Sequence, residues 1–253
     1  MIAVTIADLE AEVWGALQTV TDPELDESVT DLKFVTRVDV DADHRVHIGF
    51  RLPTYWCAAN FSFLMADDMR TAVLQLPWVT SVEVTLGEHM YADKINAGLK
   101  EGRSFQDTFG DEADGDLGEV RRTFLLKALQ RRQAALLSHL IDEGYAPAML
   151  VELTRDELTA LDLDETGARL VARYLERRPV VADRLSLAFV DTEGQPLQAE
   201  TLTTYVRALR RVDVNAEFNS ALCRGLLHVR FDTETPLTPR CARPLDQTNS
   251  APA

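Results

Sequence analysis

Leu9, Val13, Leu17 and Val20 recur at steps of three or four, the repeat of one helical face, and predict a helix over residues 7–20. Pro23 ends it, because a residue before proline is steered out of the helical region. Alternation follows. Val46, Ile48, Phe50 and Leu52 share one face of a strand over 45–52, with Arg45, His47 and Arg51 on the other. A second strand is read over 34–40, and the polar run Asp41-Ala42-Asp43-His44 predicts a hairpin turn between the two. The helical repeat returns over 58–74, where Phe61, Leu64, Met65, Met69 and Val73 form an apolar stripe. Val82, Val84 and Leu86 then alternate in a strand over 79–86. The order helix, strand, strand, helix, strand predicts an α+β domain over residues 1–87.

Past Gly87 the pattern breaks. Residues 88–118 read as an acidic linker, most clearly from Asp107 to Asp116. Leu125, Leu129, Leu136 and Leu140 predict a long helix over 119–141 in a helical region spanning 119–178. Arg121, Arg122, Lys127, Arg131 and Arg132 lie on that helix and read as a solvated face, with a basic contact surface as the other reading. Thr154-Arg155-Asp156-Glu157 has the form of a capping box, and Asp164 is placed to cap a helix that ends before Pro179. Residues 179–232 are read as a small α+β region, with strands over 185–190 and 225–231, a turn at Glu193-Gly194 and a helix over 200–211. The proline-bearing tail over 233–253 reads as disordered.

Composition narrows the classes. The chain has 253 residues, 46% hydrophobic, enough for a sizeable core. A net charge of −15 argues against general nucleic-acid binding, which needs clustered Lys and Arg to neutralise phosphates. No apolar run approaches the ~20 residues that span a bilayer, and no basic segment precedes an apolar one as in a secretory signal. Cys57, Cys223 and Cys241 are far apart and form no CxxC pair, so a disulfide framework is not expected and a reducing cytoplasm is. No P-loop, GxGxxG, GxSxG, HExxH or paired ExxH motif is present, and the expectation is that the chain is not an enzyme.

The residue that most invites chemistry is Cys57, at the switch from strand to helix in Phe50-Arg51-Leu52-Pro53-Thr54-Tyr55-Trp56-Cys57-Ala58-Ala59-Asn60. Free N–H groups at a helix start favour the thiolate, the form that binds metal or attacks. The competing reading is a cysteine buried as a small hydrophobe. Asp22 and Glu24 read as acid/base groups or hard metal ligands, or equally as solvated carboxylates of a helix-stop turn. His89 follows the last strand, so it reaches the same end of the sheet as Cys57 or is a plain loop histidine. Cys223 and His228, five apart in a predicted strand, fall on opposite faces and share no metal. Asn60, Asp67 and Asp68 read as helix surface.

Asp22-Pro23-Glu24 after a helix, Asp31-Leu32 a short step on, Thr54-Tyr55-Trp56-Cys57 between hairpin and helix, and the closing strand come in a definite order. In that order residues 1–87 resemble the PaaD/SufT-type domain of iron–sulfur and metal assembly factors. Two positions depart from the family: Trp56 stands where a small residue, often Gly, precedes the cysteine, and Ala58 where Pro follows it. The cysteine-rich C-terminal metal site of the PaaD branch is not found. Within that family the chain resembles longer members associated with bacterial soluble di-iron monooxygenases.

The resemblance implies an accessory factor that assists metal or iron–sulfur cluster assembly in a client metalloenzyme, such as a di-iron monooxygenase hydroxylase. It implies metal- or client-binding roles for Cys57, Thr54, Asp22, Glu24, Asp31 and His89. A cluster normally takes four protein ligands, mostly thiolates. With one cysteine, this domain would hold one across a homodimer with help from Glu24, Asp31, His89 or a small thiol. Otherwise Cys57 takes iron or a cluster transiently, with none firmly bound, or meets the client's own cysteines or metal site. The alternative is a metal-free interaction or chaperone subunit of a monooxygenase complex, which Trp56 and Ala58 favour. Neither nucleic acid nor membrane is an expected partner.

Overall fold

The computed structural model describes residues 5–113, 116–181 and 186–231. The expected opening order is present: α1 (Ile6–Gln18), β1 (Val35–Val40), β2 (Arg45–Phe50), α2 (Ala59–Leu74) and β3 (Ser81–Leu86). Thr5 starts α1 with a capping box to Asp8. β1 and β2 form the expected antiparallel hairpin, Val35 opposite Phe50 and Val40 opposite Val46. Its turn is tied by Asp41 Oδ1, which accepts from the N–H groups of Asp43 and Arg45, both at 2.9 Å. β3 lies parallel to β2 on its other side, so α2 is the crossover and β2 the central strand. This parallel pairing sets the C-terminal ends of β2 and β3 side by side, and the loops leaving Phe50 and Leu86 emerge together. Val46, Ile48 and Phe50 point into one core with Leu9, Val13 and Leu17 of α1 and Met65, Met69 and Val73 of α2.

Among the described residues, the elements after β3 are helices, and the fold is of the expected mixed α+β class. The stretch expected as an acidic linker is instead α3 (Ala92–Lys100), α4 (Phe105–Phe109) and a 3₁₀ turn (Gly110–Glu112). Phe105, Thr108 and Phe109 sit three and four apart and are buried, while Asp107, Asp111 and Glu112 face water. The acidic composition describes only the outer face. Gly98 of α3 lets α4 approach: a Cβ there would lie 2.2 Å from Thr108 Oγ1. The core of the N-terminal unit therefore includes Ile95, Leu99, Phe105 and Phe109.

Next come α5 (Leu117–Asp142), α6 (Pro147–Glu152), α7 (Arg155–Thr159) and α8 (Glu165–Arg177). The Thr154–Glu157 capping box and the Asp164 cap form as expected. The arginines of α5 are not a uniform solvated face: Arg131 and Arg132 are buried, and Arg121 pairs with Asp68 of α2. Leu136, Leu137, Leu140, Leu150, Leu158, Tyr174 and Phe189 belong to a second core.

The second α+β unit does not form as expected. Among the described residues, Leu187 and Val190 make only isolated bridges, although the Glu193-Gly194 turn is present. The strand expected over 225–231 is the end of α9 (Leu202–Phe231), a 30-residue helix. Leu227 faces inward and Val229 is 82% exposed, so the alternation of Leu227, Val229 and Phe231 reflects a helix with apolar residues on two faces. Residues 182–185, Cys241 and the tail over 233–253 lie outside the described residues, and so do the expectations placed on them.

Phe109 distinguishes a core element from a linker. It stacks on Phe105 with ring centroids 4.7 Å apart and meets Tyr91 edge-on at 5.5 Å. Phe109→Ala is expected to cost about 3–5 kcal/mol in urea unfolding. A linker position would move stability by no more than about 0.5 kcal/mol.

Candidate functional site

Residues 51–58 connect central strand β2 to α2, and Cys57 directly precedes the N-cap residue Ala58. The thiol is half-buried, with Thr54 Oγ1 3.0 Å from its Sγ, while Tyr55 and Trp56 are exposed. The neighbouring loop after β3 braces this segment. Gly87 N–H donates to Phe50 O at 2.8 Å, and Met90 N–H to Tyr55 O at 2.9 Å. His89 Nε2 lies 2.8 Å from Cys57 O, and its Nδ1 accepts from Tyr91 N–H at 3.2 Å. Those two bonds fix the neutral tautomer with the proton on Nε2. Burial holds the His89 pKa below the ordinary value, and the charge of Arg230 adds to the effect. His89 thus reaches the Cys57 end of the sheet, where it holds the cysteine's backbone.

The Asp-Pro-Glu motif forms a tight turn. Asp22 Oδ1 accepts from Glu24 N–H at 2.9 Å and Leu25 N–H at 2.8 Å. The carboxylate is buried, and desolvation pushes its pKa up to about 6, with Glu24 and Glu27 adding to the rise against these two bonds. Asp22 therefore shapes the turn and also titrates near neutrality. Glu24 is exposed and accepts from Asn219 Nδ2 of α9 at 2.9 Å. Asp31 is exposed, and its carbonyl accepts from Arg224 Nη1 at 3.3 Å.

Cys57, Thr54 and His89 are thus gathered at one end of the sheet, and the Asp22 turn lies under α9. Glu24 and Asp31 reach α9 from the edge of that turn. Among the described residues, no three His, Cys, Asp or Glu side chains come together as a metal site. Asp67 and Asp68 face Arg121, which ties α2 to α5, and Asn60 Oδ1 accepts from Phe61 N–H. A cavity of about 320 Å³ lined by His139, Tyr145, Met149 and Asp164 lies in the helical region and includes none of these residues. Among the described residues, no helix is long and apolar enough to cross a membrane.

The sequence reading weighed Cys223 only beside His228, on a strand, and the structure places it on a helix. Cys223 of α9 packs against the same core as Cys57, and burial pushes its thiol pKa up to about 12, with Asp22, then Cys57, adding to the rise. A strand reading of 225–231 hid it. The available signal was the helical step from Ser220 to Cys223, Leu227 and Arg230.

Comparison with known proteins adds to this geometry. A family model described as "Iron-sulfur cluster assembly protein" matches residues 10–85, the stretch running from α1 to β3. The Fe–S protein maturation auxiliary factor YitW of Bacillus subtilis is 34% identical over 76 residues, 30% of this chain and 72% of that protein. The uncharacterized protein MJ1129 of Methanocaldococcus jannaschii is 33% identical over 90 residues, 36% of this chain and 93% of that one. A crystal structure of a domain of unknown function, DUF59, from Bacillus anthracis is 22% identical, covering 32% of this chain and 74% of that one at a TM-score of 0.30. With the family model matching residues 10–85, which hold the hairpin, crossover helix and cysteine turn, and with relatives 34% and 33% identical covered over 72% and 93% of their lengths, the chain belongs to the iron–sulfur cluster assembly protein family.

Proposed function

We propose that this chain is an accessory maturation factor, which takes iron or an iron–sulfur cluster as cargo and passes it to a client metalloenzyme. The observation that supports this reading is the setting of Cys57. Its thiol is half-buried beside Thr54, braced through its carbonyl by His89, and flanked by exposed Tyr55 and Trp56. A thiol in such a mouth is within reach of a partner's thiols, and ligand exchange between thiols moves a cluster without releasing it. The match to the iron–sulfur cluster assembly family covers this part of the chain, and YitW, described as a maturation auxiliary factor, is 34% identical over 76 residues. The proposal places the chain in the cytoplasm, where thiols stay reduced. It names the hydroxylase of a soluble di-iron monooxygenase as client, on the sequence resemblance.

A second reading has its own observation. Phe218, Leu222, Leu226 and Val229 step along the outer face of α9 and are exposed. Tyr55, Trp56 and Met90 are exposed as well. A helix apolar on two faces is one that a partner covers. This supports a metal-free interaction subunit that binds the same client.

Co-expression with such a hydroxylase separates the two. Under the maturation reading, Cys57→Ser keeps the complex and the client's solubility but lowers iron per hydroxylase severalfold. Leu222→Asp is expected to weaken the complex itself. Unchanged iron content with Cys57→Ser, alongside solubility that still depends on the chain, contradicts cargo transfer and leaves the interaction reading.

The Asp22 turn gives a separate pH test. Its folded pKa of about 6 lies above the ordinary value of 3.8, so folding favours the protonated form. This group adds no penalty below the unfolded value, and a growing one as pH rises from about 4 through 6. Asp22→Asn keeps the accepting oxygen and lacks the charge. The stability difference between variant and parent is therefore expected to grow in the variant's favour by on the order of 3 kcal/mol between pH 4 and 7. A difference that stays flat across this range contradicts the buried, perturbed carboxylate.

A further inference from the structure

Over its last turns α9 directs its charges toward the N-terminal unit. Arg224 pairs with Glu27, and Arg230 bonds both the carbonyl and the carboxylate of Glu88. Leu227, on the same side, is buried in the N-terminal core. The opposite side carries Phe218, Ala221, Leu222, Gly225, Leu226 and Val229, which fall on one helical face. Phe218 is 68% exposed and Val229 82%, while Gly225 lies half-buried between Leu222 and Leu226. None of the six is charged, on a chain whose net charge is −15. Their spacing is also symmetric. Positions 218, 221, 222, 225, 226 and 229 mirror one another about a point between Cys223 and Arg224. A two-fold axis at that point sets Phe218 against Val229, Ala221 against Leu226, and Leu222 against Gly225. Each large side chain then meets a smaller one, which lets two helices interdigitate.

We propose that a second copy of this chain covers the stripe, by antiparallel packing of α9 on α9 about that point. A two-fold contact uses one patch twice, so the patch must complement itself. In shape it does, large against small. In charge it does because Arg224 and Arg230, which flank the stripe, are paired with Glu27 and Glu88. Two acidic chains therefore meet here without opposing like charges. The twelve residues from Phe218 to Val229 run ~18 Å along the helix. Their exposed side chains cover on the order of 400 Å² per copy, about half of a standard interface, so the dimer is a reversible one. The proposal goes beyond the maturation reading. A client that takes the same stripe displaces the second copy.

Sedimentation equilibrium of the full chain under reducing conditions tests this. The weight-average mass is expected to rise from 28.3 kDa at about 2 µM toward twice that at about 200 µM. Phe218→Lys and Val229→Glu are each expected to weaken the dimer about tenfold or more. The double variant is expected to recover it, because only the antiparallel register sets each new charge against its opposite. A single chain mass at every concentration overturns the proposal. If Leu222→Asp then still weakens the client complex, the stripe belongs to the client alone. A dimer that neither single variant weakens also overturns it, and places the contact elsewhere on the chain. A double variant no tighter than the single ones overturns the antiparallel packing. None of these outcomes bears on Cys57, and hydroxylase iron with Cys57→Ser decides the maturation reading separately.

Discussion

The carboxylate of Asp26 holds the two halves of this molecule together. It lies four residues past Asp22, 5% exposed, in a left-handed backbone conformation that Asp tolerates better than most residues. Arg132 from the middle of α5 binds it through two nitrogens, Nε at 2.6 Å and Nη2 at 2.9 Å. Arg177 from the end of α8 adds Nη2 at 3.1 Å and also reaches Thr21 Oγ1 at 3.2 Å. A buried carboxylate without partners is costly, and removing one member of such a group typically costs about 3–5 kcal/mol. Bidentate geometry fixes direction as well as distance. The turn that carries the family motif is therefore the same turn by which the helical region grips the N-terminal core.

The remaining arrangement depends on that grip. α5 is also tied to α2 through Arg121–Asp68 and through the edge-on contact of Phe61 and Phe124 at 4.8 Å. α9 then crosses from the second core, where Leu202 and Val206 are buried, to the first, where Leu227 is. Its inner face covers the Asp22 turn and closes on the Cys57 loop, while its outer face offers an exposed apolar stripe. The chain thus has a family domain fixed by buried arginines and capped by a helix of its own, both at the turn over residues 22–27. Under the maturation reading, the helix covers the Asp22 turn and offers a surface to the client.

Much of the fold was legible because its signals are local. The alternation in 45–52, the stripe from Phe61 to Val73 and the Thr154–Glu157 box each lie within a few turns of chain, and each formed where expected. Cys57 and its helix start were legible for the same reason. The misses come from distance or from mixed faces. Phe105 and Phe109 sit among acidic residues that mark only the solvent side of α4. Leu227, Val229 and Phe231 alternate by coincidence of a two-faced helix. Asp26 drew no attention because its partners lie 106 and 151 residues away.

Hydrogen–deuterium exchange, comparing the full chain with one ending at residue 201, tests most directly whether α9 is built onto the site. The amides of Glu24 and Leu25, which bond Asp22, and those of the β2–α2 loop report on its cover. The account predicts faster exchange over residues 22–32 and 52–60 once α9 is gone, with the β1–β2 hairpin unchanged. Identical exchange in both segments would contradict it, and would leave α9 a neighbour of the site with no part in it.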